Sequence, residues 1–182
     1  MKKALFLVMA VFAMATVCDA QKVTLKTNIP AWAGVAPNVG VEFAISPKWT
    51  VGIEGMAFAF NPYNNFYANG WMGTGEVRYY TCKAFNGHHF GLYGNVGRFG
   101  DLTATGDLLS KVAMGGLTPE GAKNVKVATA GLSYGYYFKL GTHWAIDTTI
   151  GVGGNYAMAN GGIKSGVKFG LSRLQVALGY RF

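Results

Sequence analysis

Residues 174–182 alternate without a break: Leu, Val, Leu, Tyr and Phe take the even positions, and Gln, Ala, Gly and Arg the odd ones. Successive side chains of a strand point to opposite faces, so this segment predicts a strand with one bulky apolar face and one small or polar face. The same period recurs upstream. Leu132, Tyr134, Tyr136, Phe138 and Leu140 alternate with Gly131, Ser133, Gly135, Tyr137 and Lys139. Trp144, Ile146, Thr148, Ile150 and Val152 alternate with Ala145, Asp147, Thr149, Gly151 and Gly153.

Turn signals divide the chain into eight such segments: 23–34, 39–45, 49–60, 73–82, 89–100, 125–140, 144–158 and 166–182. Ser46-Pro47-Lys48, the turn around Asn86-Gly87, and Gly141-Thr142-His143 predict short connections, with Pro and Gly supplying the backbone angles that tight turns need. Residues 61–71 and 101–124 predict long loops; within the second, Thr118-Pro119-Glu120 and Asp107-Leu108-Leu109 with Val112 could each start a helical turn. Short and long connections alternate, as in barrels with short periplasmic turns and longer outer loops. An even strand count puts both ends of the barrel on the periplasmic side.

The faces indicate which way such a barrel is turned. In water the bulky set would point inward, leaving an outer wall of mostly glycine and alanine with few charges. Turned outward, the bulky set meets lipid, and the small residues suit an eight-stranded lumen with little free space. The fold expected is therefore an all-β, eight-stranded, antiparallel up-and-down transmembrane β-barrel. Trp49 and Trp144 each follow a short turn directly, as interfacial girdle residues do. Tyr180 and the terminal Phe182 resemble the assembly signal of such barrels, which implies the barrel assembly machinery as a partner.

Composition agrees. The full chain has sixteen Lys and Arg against eight Asp and Glu. Lys2 and Lys3 precede an uncharged apolar run that is too short to span a bilayer, and Ala20 offers a cleavage site before Gln21. Residues 1–20 are thus expected to be a cleaved signal peptide and 21–182 the barrel domain. Acylation at Cys18 is the rival reading, which the Val17 before it fits poorly. Beyond residue 20 no run of eighteen apolar residues exists, so membrane insertion would need a closed barrel. Cys82 is the one cysteine of residues 21–182, expected as a half-buried structural thiol.

Several segments together resemble a Bacteroidota family, the one numbered 3575 among domains of unknown function. They are Lys26-Thr27-Asn28, Asn38-Val39-Gly40-Val41-Glu42-Phe43, Ser46-Pro47-Lys48-Trp49, the run from Glu76 through Cys82-Lys83-Ala84-Phe85-Asn86-Gly87-His88, and Gly131-Leu132-Ser133-Tyr134-Gly135-Tyr136. The Cys-x-Ala-Phe-Asn-Gly-His turn is the most specific piece. The resemblance implies a small outer-membrane barrel of a Gram-negative anaerobe and brings no catalytic residue with it.

Glu42, Glu54, Glu76, Arg78, Lys139, Asp147, Gln175 and Arg181 fall in strands, mostly opposite the apolar face. They predict a polar network in the lumen, since buried charges must be paired. Glu54 keeps that phase only if no bulge lies near Gly55. His88 and His89, adjacent in a strand, must point to opposite faces. His88 and His143 could meet at the periplasmic rim, but no third metal ligand is evident. Gly91, Gly94, Gly97 and Gly100 predict a tightly curved wall rather than a phosphate loop, because no helix follows them directly. Lys111, Lys123, Lys126, Lys164 and Lys168 lie in or beside the outer segments, where glycolipid phosphates would be their partners. No cofactor and no nucleic acid are expected. The function expected is a non-enzymatic structural or surface-interaction barrel without an open pore. An outer-membrane enzyme acting on lipid or peptide, and a soluble periplasmic ligand-binding barrel, are the alternatives.

Overall fold

The computed structural model describes residues 23–33, 36–63, 66–104, 122–160 and 166–182. They form β1 (Val23–Asn28), a short helix α1 (Ile29–Ala33), β2 (Asn38–Ala44), β3 (Trp49–Tyr63), β4 (Phe66–Tyr80), β5 (Gly87–Ala104), β6 (Ala122–Leu140), β7 (Trp144–Asn160) and β8 (Gly166–Arg181). Each strand pairs antiparallel with its neighbour, and β8 returns to β1 to close the barrel. Closure gives every wall strand two partners and leaves no free edge. At the seam Phe182 N donates to Val23 O at 3.0 Å and Arg181 N to His143 O at 2.7 Å.

The faces are arranged as the alternation predicts. In β7, Ala145, Asp147, Thr149, Gly151, Gly153, Asn155 and Ala157 are buried, while Ile150, Val152, Tyr156 and Met158 between them are exposed. In β4, Glu76, Arg78 and Tyr80 point inward and Val77 outward. In β8, Ala177, Gly179 and Arg181 are buried, and Phe182 stays exposed outside. The register of β3 runs unbroken past Gly55, so Glu54 keeps its inward phase.

Several boundaries differ from the sequence reading. The first strand stops at Asn28 rather than at residue 34, and α1 follows. Pro30 has a fixed φ and no N–H, which suits the first turn of a helix better than a strand. The Asn38 side chain seals the strand end, donating from Nδ2 to Asn28 O at 3.1 Å and accepting from Asn28 N at 2.6 Å. The stretch 61–71 belongs mostly to the hairpin arms, with β3 continuing to Tyr63 and β4 starting at Phe66. The register shifts between Phe60 and Tyr63, around Pro62, which cannot donate to the ladder. β5 reaches Ala104 and β6 begins at Ala122, so the long connection is shorter than 101–124. Local turn residues mark where a chain can bend; a neighbouring strand offering hydrogen bonds decides where it does. The two helical turns expected within that connection, and residues 1–20, lie outside the described residues.

One irregularity bears directly on the lumen. Gly151 pairs with Arg173 but Val152 pairs with Leu171, so Ser172 is an extra residue in β8. Such a bulge turns two consecutive side chains to one face. Ser172 and Arg173 both enter the interior.

Candidate functional site: a charged plug in the lumen

Arg78 projects from β4 into the centre of the barrel and is almost wholly buried. Its Nη1 lies 2.6 Å from Asp147 Oδ2 and 3.2 Å from Glu42 Oε2, and its Nη2 lies 2.7 Å from Glu76 Oε2. Lys26 from β1 adds a second cation, bonded to Glu42 and 2.8 Å from Asp147 Oδ2. The remaining carboxylate lone pairs are also occupied. Thr50 donates to Glu42, as does the Tyr80 hydroxyl at 3.0 Å. Ser133 donates to Glu76 Oε1 at 2.5 Å, and His89 Nε2 meets Asp147 Oδ1 at 2.9 Å.

The bulge extends this network toward the long-connection end. Arg173 Nη2 lies 3.2 Å from Glu76 Oε2 and 3.5 Å from Glu54 Oε2, and donates to Gln175 Oε1 at 2.8 Å. Gln175 Nε2 in turn donates to Glu54 at 3.1 Å. The Arg173 guanidinium sits 5.4 Å from the centre of the Tyr93 ring, whose hydroxyl bonds Ser172. Four carboxylates, Glu42, Glu54, Glu76 and Asp147, therefore share three cations, Lys26, Arg78 and Arg173, with His89 bonded to Asp147. An isolated buried ion costs several kcal/mol, so the pairing is what makes this interior tolerable. An eight-stranded lumen is only wide enough for side chains, and here they fill it. A recess of about 20 Å³ bordered by Lys26, Glu42, Glu54, Glu76 and Arg173 has room for one or two waters.

The short-turn mouth has its own stopper. Phe85 adopts φ +61°, uncommon for a bulky residue, and this folds its ring into the barrel. The ring lies 6.1 Å from Tyr80 and 5.8 Å from Tyr137. Ala84 N donates to Pro47 O at 2.8 Å and ties the turn to its neighbour. Two glycines make room for the plug. A Cβ on Gly135 would lie 2.4 Å from His89 Cε1, and one on Gly91 would lie 2.3 Å from Ser133 Oγ.

Glu42, Glu76, Arg78 and Asp147 thus meet in the lumen, and Glu54 and Gln175 join them through Arg173. Arg181 is buried but apart from them. It braces the β6–β7 turn, donating from Nη2 to the carbonyls of Gly141 and Thr142 at 2.8 Å each. Lys139 does not enter the network. It has the inward phase but stands exposed at the rim, where the strand has run past the plug. Sequence reasoning missed Lys26, Thr50, Tyr80, His89, Ser133 and Arg173. Lys26 and His89 carried the needed signal, being ionisable residues in predicted strands. Arg173 carried it as well, sharing Gln175's inward phase in an unbulged strand; Ser172, which that strand would turn outward, carried none.

The histidines part company. His89 is fully buried rather than at the rim. His88 lies outside, with Nδ1 2.7 Å from Tyr134 Oη, and His143 stacks on Tyr180. Among the described residues no group of three His, Cys, Asp or Glu is placed to hold a metal ion. His89 Nε2 meets Asp147, and among the described residues its buried Nδ1 has no hydrogen-bond partner. Cys82 is exposed rather than half-buried, because the turn residues beside it tuck Phe85 in and leave the thiol out. The recurring glycines alternate faces, as a period of three in a strand requires, with Gly91 and Gly97 buried and Gly94 exposed. They form no common cradle. Gly100 has no described side-chain environment.

The profile of a family described as proteins of unknown function, DUF3575, matches residues 5–173. The chain belongs to the DUF3575 family. In this DUF3575 barrel, the Cys-x-Ala-Phe-Asn-Gly-His turn gains a structural role, since its Phe85 closes the short-turn mouth. No curated protein matches the chain.

Proposed function

We propose that this protein is a small, non-enzymatic barrel of the outer membrane in a Gram-negative bacterium of the Bacteroidota. Residues 1–20 direct its export, the charged plug keeps it closed, and its long hairpins act at the cell surface. One observation carries the reading: the wall is inside out relative to a water-soluble barrel. Leu132, Ile53 and Leu92 are 65, 64 and 62 % exposed, while Arg78, Glu42 and Asp147 are at most 1 % exposed. Bulky hydrocarbon toward acyl chains and polar groups toward the lumen is the arrangement a bilayer selects.

Aromatic residues support the same placement. At the short-turn end Trp49 packs 5.2 Å from Tyr79, and Trp144 lies 5.1 Å from Tyr180, which is 5.1 Å from Phe182. At the opposite end Trp32, Trp71, Tyr156 and Phe169 are exposed. Two such belts bracket an apolar band. β5 and β6 have 18 and 19 residues, well beyond the roughly ten that cross a hydrocarbon core, so their hairpin reaches past the headgroups. That reach supports a surface-interaction role.

The test is fractionation of the native host. The protein should stay in outer membranes through an alkaline carbonate wash and should shift on gels when boiled. Protease on intact cells should cut between residues 104 and 122. Release by the wash, with no boiling shift, would replace this reading with a soluble periplasmic barrel.

A further inference from the structure

The outer wall at the long-connection end carries a pair of cations on two neighbouring strands. Arg98 in β5 and Lys126 in β6 are directly opposed in the register, and both side chains are exposed. Trp71 of β4 flanks Arg98 on one side, and Met158 of β7 flanks Lys126 on the other, both also exposed. Trp71, Arg98, Lys126 and Met158 thus form one row across four strands. Both side chains take the outward phase of their strands. Lys168 differs. The bulge at Ser172 returns it to the inward register opposite Asn155, so it does not extend the row. Lys123 is placed by its backbone alone, and Lys111 and Lys164 lie outside the described residues.

The wall next to this pair is shallow. Two positions further into the band the outward row reads Gly73, Val96, Ala128 and Tyr156, and the row two beyond it reads Gly75, Gly94, Ala130 and Gly154. A Cβ on Gly75 would meet nothing within 4 Å. Beyond them Val77, Leu92, Leu132 and Val152 restore a bulky surface. The 85 %-exposed Phe169 pairs with Gly154 and its ring closes that end of the depression, while Trp71 stands beside Gly73.

We propose that Arg98 and Lys126 bind the phosphate of an outer-leaflet phosphoglycolipid, with its nearest acyl chain lying over the Gly75–Gly154 depression. This inference rests on the outer-membrane reading. Charge complementarity selects the occupant. A guanidinium presents two parallel donors to a phosphate, and an ammonium one position away on the next strand adds a point charge. Both stand beside the tryptophan belt, the level at which headgroup phosphates lie.

The probe is diphosphoryl lipid A, presented to the full chain folded in neutral-detergent micelles, with binding read by native mass spectrometry. Wild type should bind it tightly, and chemically dephosphorylated lipid A at least tenfold more weakly. Arg98→Gln with Lys126→Gln should lower affinity by about 25-fold, and Arg98→Lys should recover part of the loss. The boiling shift on gels shows separately that each variant is folded. Equal binding of the phosphorylated and dephosphorylated lipids, or wild-type affinity in the double variant, would overturn the proposal. So would displacement by millimolar inorganic phosphate, which would make a free anion the ligand. If carbonate releases the protein from membranes, the underlying membrane reading falls instead, independently of the binding result.

Discussion

Replacing Arg78 by Met tests the plug most directly. Methionine keeps the length and the apolar stem but removes the charge and every donor. Glu42, Glu76 and Asp147 then lose contacts of 3.2, 2.7 and 2.6 Å inside a lumen that has no room for bulk water. Lys26 still serves Glu42 and Asp147, and Arg173 still serves Glu76, so the carboxylates are not wholly orphaned. Breaking a buried ion pair from one side costs about 3–5 kcal/mol, and the residual partners place Arg78→Met near the lower figure. With a urea dependence of about 2 kcal/mol per molar, the midpoint should fall by about 1.5 M. Arg173→Met provides the internal scale. It loses looser contacts at 3.2 and 3.5 Å and one amide bond, worth about 1–2 kcal/mol together. The assay is urea unfolding in phospholipid vesicles, followed by tryptophan emission and by the boiling shift. A midpoint change below about 0.3 M for Arg78→Met, or a larger one for Arg173→Met, would refute the view that Arg78 is the centre of the network.

Gly135→Ala should destabilise the barrel by about 1–3 kcal/mol, since its Cβ would lie 2.1 Å from Thr148 O and 2.4 Å from His89. Gly75→Ala, with open space around it, should change the same urea midpoint by no more than experimental error. Phe85→Ala should cost about 3 kcal/mol through loss of the buried ring. Phe85→Gly should cost about 1 kcal/mol less, because glycine tolerates the positive φ; the reverse order in unfolding would argue against the stopper conformation. Cys82 lies exposed at the short-turn end, so a membrane-impermeant maleimide should label it only after the outer membrane is permeabilised. Labelling on intact cells would invert the orientation proposed for the barrel.

Much of this architecture is written in a period of two. Alternation in 132–140, 144–153 and 174–182 is local and forces side chains to opposite faces, so eight strands and the wall's polarity could be read from the chain alone. The short turns at Ser46-Pro47-Lys48 and Gly141-Thr142-His143 were equally legible, because Pro and Gly restrict the backbone where they stand. Which polar side chains meet was not legible. Lys26 and Asp147 are 121 positions apart and become neighbours only because the barrel closes β8 onto β1 beside β7. Arg78 reaches Asp147 across the lumen, a distance no period encodes. A single extra residue turned Ser172 into the interior beside Arg173, and pairing with β7, not the local sequence, placed that bulge. The chain by itself determined which face each residue takes. The closed wall and its register decided which residues share the interior, because register depends on hydrogen bonds to partner strands that a local pattern does not contain.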